Sequence, residues 1–270
     1  MRALFAGLFD DAALFPPGNA PMREAVPAHL KHRAAWYADL VGPFICPDTR
    51  LAELAGCEGR MPVSIIVTGG PATLGDALRQ IPAAQLAAVE IPVGHDTAAA
   101  AEMSPIRTPV YVELPWGAAQ SSALDALAGT GAHAKLRTGG TTAAAFPTEP
   151  ALAAALAGCL DRDLAFKCTA GLHNALRHTA ADTGFEHHGF LNVLLATAAL
   201  LDGANTTHAA EVLAERSADA LAEAARRLSD RHISRLRDRF RSFGTCSILE
   251  PLTDLTALGL LDPTGKANLA

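Results

Sequence analysis

Short β-branched and apolar runs alternate along the chain with Ala- and Leu-rich stretches of helical period. That rhythm is the signature of a parallel sheet flanked by helices. The apolar runs cover residues 3–9, 43–46, 63–67, 87–92, 110–114, 132–136, 164–168 and 241–246, and helical stretches such as 22–40, 49–55, 72–80 and 150–160 lie between them. Eight such units close into a barrel rather than remain an open sheet. The expected fold is therefore α/β, a single (β/α)8 TIM barrel over residues 1–270.

The seventh and eighth runs stand about 70 residues apart, where one strand-helix-strand unit needs only about 30. Residues 173–235 are read as a helical insertion between strands seven and eight. It starts with a polar loop, 173–188, and continues with helical segments 189–202 and 208–228. An elaboration on that face of a barrel is expected to act as a lid or as a contact between copies in a homo-oligomer.

Composition narrows the function classes. Half of the 270 residues are hydrophobic, and the net charge is −6. Basic residues gather only in the amphipathic stretch 226–241, so nucleic acid is not an expected partner. No uninterrupted run of eighteen apolar residues is present, and residues 1–9 lack the pattern of a signal peptide, so no membrane association and a cytoplasmic location are expected. Cys46, Cys57, Cys159, Cys168 and Cys246 are scattered and odd in number. Reduced thiols without a structural zinc site follow.

Barrel enzymes place their chemistry at the C-terminal ends of strands, where alternate side chains point inward. Here the fourth and fifth runs end in Glu90-Ile-Pro and Glu113-Leu-Pro, the sixth carries Lys135 and Arg137 on one face, and the seventh carries Lys167 and Thr169. Burying such charges costs several kcal/mol each, on the order of what a small domain can spare, unless they are paired. One reading is a structural ion cluster of Glu90, Glu113, Lys135 and Lys167. The other is catalytic: neighbouring lysines disfavour each other's charge, and a neutral amine can add to a carbonyl to form a Schiff base. The residues alone do not separate Lys135 from Lys167 in that role.

The motif Lys135-Leu-Arg-Thr138-Gly139 in the sixth run and Lys167-Cys-Thr169-Ala-Gly171-Leu in the seventh resemble the paired lysine motifs of deoxyribose-phosphate aldolase, a class I aldolase family with a (β/α)8 barrel. Other segments are similar in the same order along nearly the whole chain: the Asp- and Pro-containing stretch 9–17, Phe44-Ile-Cys-Pro47, Glu113, and Phe243-Gly-Thr-Cys-Ser247. The resemblance implies a carbon-carbon lyase that needs no cofactor and acts on a small aldehyde or ketose, with sugar phosphates among the candidate substrates. It also implies Lys135 as the Schiff-base residue and Lys167 as the group that tunes it. Three departures put the substrate in doubt: Gly140-Thr-Thr replaces a family lysine, His173 stands where an arginine is usual, and the long insertion has no counterpart. Glu90 stands near the family's strand-four aspartate.

Asp10 and Asp11 precede a stiff Phe15-Pro-Pro-Gly turn that presents one carboxylate at the barrel mouth, and Asp11 is taken as the catalytic candidate. Gly139, Gly171 and Gly244 allow close backbone approach to an anion, with Ser247 beside them, or serve as ordinary turn residues. Arg137 pairs with a substrate anion or with Glu113. His173, His178, His187 and His188 are dense but follow no zinc spacing, so His173 and His188 are assigned to substrate binding and no metal is expected. Two alternatives to the aldolase remain: a metal-dependent or general-base isomerase using Glu90, Glu113 and a histidine, and a non-catalytic barrel that binds a metabolite.

Overall fold

A computed structural model describes residues 1–57, 59–92, 94, 96–102 and 107–263. Eight parallel strands close a barrel. They are β1 (Phe9–Asp11), β2 (Val41–Pro47), β3 (Val63–Ile66), β4 (Leu86–Ile91), β5 (Val110–Glu113), β6 (His133–Arg137), β7 (Phe166–Thr169) and, after a two-stranded hairpin β8 (His178–Thr179) and β9 (Glu186–His187), β10 (Phe240–Thr245). Each strand neighbours the next, and β10 returns to pair with β1 in register Asp10 to Gly244.

The helices are α1 (Met22–Ala34), α2 (Leu51–Ala55), α3 (Leu74–Arg79), α4 (Thr97–Ala101), α5 (Gln120–Leu127), α6 (Glu149–Asp161), α7 (Phe190–Leu201), α8 (Thr206–Ala214), α9 (Ala218–Arg226), α10 (Asp230–Arg239) and α11 (Leu249–Ala257). Side-chain caps fix where several begin: the oxygens of Thr148, Asn205, Ser217 and Ser229 accept from backbone N–H groups in the first turns of α6, α8, α9 and α10. These are donors that a helix start otherwise leaves unpaired.

The first strand is displaced from its expected position. Residues 2–4 form a 3-10 turn, and strand geometry begins only at Phe9. The apolar run is explained by burial without a sheet: Leu4, Phe5 and Leu8 are fully buried, and Gly7 turns the chain at φ 58. The long helical stretch 22–40 likewise ends at Ala34 and is followed by a separate 3-10 turn, Ala38–Leu40.

Between β7 and β10 lie the hairpin and helices α7 to α10. α7 does not cover the barrel mouth. Its Phe190 stacks on Phe243 at 5.1 Å between ring centres and meets Phe9 edge-on at 5.7 Å, which places the helix on the outer wall over β1 and β10. α7 is buried on nearly all sides because α6, α8, α9 and α10 surround it. Residues 143–161, a 3-10 turn plus α6, have the length and apolarity of a membrane span. Here Leu152, Ala153, Leu156 and Cys159 are buried, and α6 packs on α5, α7 and α8.

Side chains alternate along the strands, and the two sets differ in kind. Val63, Ile65, Val89, Ile91, Val112, Leu136, Phe166 and Phe243 belong to the apolar core. The positions between them include Ser64, Glu90, Glu113, Lys135, Lys167 and Ser242, all buried.

Candidate active site

Period-two geometry sends Asp10, Ser64, Glu90, Glu113, Lys135, Lys167 and Ser242 into the barrel interior, where they form one connected network. Lys167 Nζ donates to Asp10 Oδ2 at 2.6 Å and to Glu90 Oε1 at 2.7 Å. Lys135 Nζ lies 2.9 Å from Glu90 Oε2 and 3.4 Å from Glu113 Oε2. Glu90 thus bridges the two amines, one oxygen each. Arg137 closes the chain by donating from Nε to Glu113 Oε1 at 2.7 Å. Ser64 Oγ donates to Glu90 Oε1 and Ser242 Oγ to Asp10 Oδ2, both at 2.7 Å.

Three carboxylates and three cations make this network neutral when all are ionised. Its electrostatics correct one expectation. Lys167 is not held neutral by the neighbouring lysine, because the Glu90 carboxylate stands between the two amines. Burial pushes the Lys167 ammonium down, but the charges of Asp10 and Glu90 and their hydrogen bonds outweigh it and raise the group above its ordinary value. Burial likewise pushes the Glu90 carboxyl up, and Lys135 and Lys167 more than offset it, holding Glu90 well below the usual carboxylate range. Asp10 goes the other way: burial dominates over Lys167 and Ser242 and raises it.

The two amines are held unequally. Lys167 has two short hydrogen bonds and lies 5.4 Å above the Tyr111 ring. The carboxylate oxygens that face Lys135, Glu90 Oε2 and Glu113 Oε2, accept no aligned hydrogen bond among the described residues. Lys135 is the looser amine.

The inward carboxylate of β1 is Asp10, and the assignment to Asp11 is wrong. Asp11 lies on the opposite face of the strand, where its Oδ2 meets His29 Nδ1 of α1 at 2.9 Å in a buried pair. Gly42 makes room for the true partner: a Cβ there would stand 2.1 Å from Asp10 Oδ1.

Most of the residues assigned to substrate binding have structural partners. Thr138 is fully buried, and its hydroxyl donates to the Thr169 and Ala170 carbonyls, tying β6 to β7. Gly139 and Gly171 approach each other rather than leave a cradle: a Cβ on Gly139 would lie 2.7 Å from the Gly171 Cα. Gly171 has φ 76, and Ala170 before it takes φ 59, a left-handed conformation that costs a residue with a Cβ about 1 kcal/mol. Gly244 lies against Ile45 of β2, the strand beyond β1. His188 is buried, its Nε2 2.8 Å from the Pro147 carbonyl and its Nδ1 3.4 Å from Arg177. It holds the loop before α6.

His173 and Ser247 lie beyond the strand ends, with Thr169 closing β7. His173 Nδ1 is 3.0 Å from Glu250 Oε2, 3.4 Å from Thr245 Oγ1 and 3.6 Å from Cys246 Sγ. Ser247 N–H donates to Thr245 Oγ1 at 3.4 Å. His178 and His187 face each other across the hairpin at 5.1 Å, with His187 against Phe146. His178 and His187 thus pair with each other, while His173 and His188 have other partners. Among the described residues no group of three His, Cys, Asp or Glu stands close enough to hold a metal ion.

Sequence reasoning missed Ser64, Ser242 and Tyr111. Period two could have found them, since Ser64 is the one polar residue in Val-Ser-Ile-Ile and Tyr111 and Ser242 each sit two positions before an inward residue. The same count shows that Asp10 and Asp11 cannot both face inward. Comparison of the chain with family models, with curated proteins and with solved structures returns no match.

Proposed function

We propose that the protein is a Schiff-base-forming lyase of the class I aldolase type, acting on a small aldehyde or ketose, with Lys135 as the nucleophile. The observation that carries this reading is the single carboxylate of Glu90 shared between two lysine amines, one tightly fixed and one loosely held. Lys167 takes one oxygen of Glu90 and leaves the other to Lys135. Glu113, which also faces Lys135, can accept the Lys135 proton, which frees the lone pair to add to a carbonyl carbon. Loss of water from the carbinolamine leaves an iminium ion, which withdraws electrons from the adjacent carbon-carbon bond. The resemblance of the two lysine motifs to deoxyribose-phosphate aldolase assigns the same roles to the same positions.

A second reading is favoured by the charge balance. Three anions facing three cations satisfy one another without a substrate, as a structural ion lattice would. Borohydride reduction in the presence of glyceraldehyde, acetaldehyde or pyruvate separates the two. The aldolase reading expects a stable mass increase that peptide mapping assigns to Lys135, retained in an Arg137→Ala protein and absent from a folded Lys135→Met protein. No adduct with any of these carbonyls, or an adduct spread over surface lysines, leaves the lattice as the function of the cluster.

A further inference from the structure

The buried network is approached from the end of the barrel opposite the one where barrel enzymes work. A cavity of about 200 Å³ lies among the first residues of the strands, lined by Gly7, Asp10, Tyr111, Lys167, Arg241 and Ser242. Barrel interiors are normally filled at this level by bulky branched side chains. Here Ala87 and Ala88 stand at the corresponding positions of β4 and leave the layer open.

The charges around the cavity do not cancel. Lys167 and Arg241 face it with Asp10 as the one lining carboxylate, and Asp10 Oδ2 is already shared by Lys167 and Ser242. Arg237, behind them, spends its guanidinium on the carbonyls of Ala6, Phe240 and Arg241. Among the described residues no side chain pairs with the Arg241 guanidinium or the Tyr111 hydroxyl. Both stay uncommitted beside a cavity of net positive charge.

We infer that this cavity is a binding site for a small organic carboxylate, held by Arg241 and the Tyr111 hydroxyl at the N-terminal end of the barrel. A planar guanidinium matches the two oxygens of a carboxylate, and a phenol adds a third donor. The volume is below the roughly 300 Å³ at which pockets admit drug-sized ligands, so the ligand is an acid of a few heavy atoms. The cavity shares Lys167 and Asp10 with the buried network, but the groups proposed to hold the acid are Arg241 and Tyr111, and Lys135 faces Glu90 and Glu113 instead.

The test is thermal unfolding in sodium acetate against sodium chloride at matched ionic strength, with sodium phosphate as a second anion. Acetate is expected to raise the unfolding midpoint by about 5 °C at about 100 times its Kd, and more than phosphate does. Arg241 is exposed, so Arg241→Ala folds, and it should need at least about tenfold more acetate for the same rise, the loss of one charge-assisted contact. Tyr111→Phe should shift the curve the same way by less. His173→Ala, altered at the opposite mouth, should keep the full response. The inference is overturned if acetate does no more than chloride, if Arg241→Ala keeps the response, or if His173→Ala abolishes it.

Discussion

On the outer face of the strands Val63, Ile65, Val89, Ile91, Val112, Leu136 and Phe243 meet the helices, while the inner face of the same strands carries Asp10, Ser64, Glu90, Glu113, Lys135 and Lys167. The outer layer supplies stability in the ordinary way, about 1.5 to 3 kcal/mol for each large apolar side chain taken out of water. The inner layer supplies little. Desolvating these five charges consumes most of what their attraction returns, and an apolar interior of the same volume would be as stable or more so. An arrangement that is costly to keep and indifferent to stability is what positioned chemistry requires. The two layers should therefore respond differently to substitution.

The largest effect is expected at Glu90, because both lysines lean on it. Glu90→Ala leaves two buried ammonium groups with one carboxylate each and should lose about 3 to 5 kcal/mol, read as a fall in the denaturation midpoint at unchanged slope. On the outer face of β6, Leu136→Ala removes only packing and should lose about 3 kcal/mol. The two variants separate most clearly in chemistry, not in stability. Leu136→Ala should still form the reduced adduct at Lys135, whereas Glu90→Ala should not. If Glu90→Ala is the milder of the two, the inner cluster is hydrated and the contrast between the layers fails.

How much of this could be read in advance follows from the same alternation. Seven of the eight strands were legible as apolar runs, and Glu90, Glu113, Lys135 and Lys167 as one inward set, because a charge at a period-two position of an apolar run has only one buried direction to face. Asp11 was misassigned because adjacent aspartates carry no such direction unless the strand's register is known, and β1 is only three residues long. The first apolar run was misread as a strand because burial of Leu4 and Phe5 under α10 needs no sheet. The glycines were legible as close approaches, but a sequence does not say what approaches. At Gly139 and Gly171 it is the other loop, and the close approach of the Asp10 carboxylate to Gly42 was not read from the sequence at all. The cavity at the N-terminal end was not legible at all, since Ala87 and Ala88 look like ordinary small residues until the layer they fail to fill is seen.

The finest distinction between the layers is expected at Ser64, whose hydroxyl donates to Glu90 Oε1 beside Lys167. Ser64→Ala removes one hydrogen bond to an anion that keeps its two cations, and should lose about 1 kcal/mol at neutral pH. Its pH dependence identifies the cause. A carboxyl held below its ordinary range contributes stability that is present above the unfolded value, about pH 4.3 for a glutamate, and is lost as the pH falls through the lower folded value. Without the Ser64 hydroxyl the folded value of Glu90 rises, so the acid loss should begin at higher pH, and the two proteins should converge once Glu90 is protonated in both. Asp10, whose folded value is raised, contributes in the opposite sense and flattens the same limb in both proteins. A Val63→Ala variant, one position away on the outer face, should lower the curve at every pH without moving its onset. An unmoved onset in Ser64→Ala would mean that the hydroxyl serves packing alone, and the inner layer would then differ from the outer one only at its charged positions.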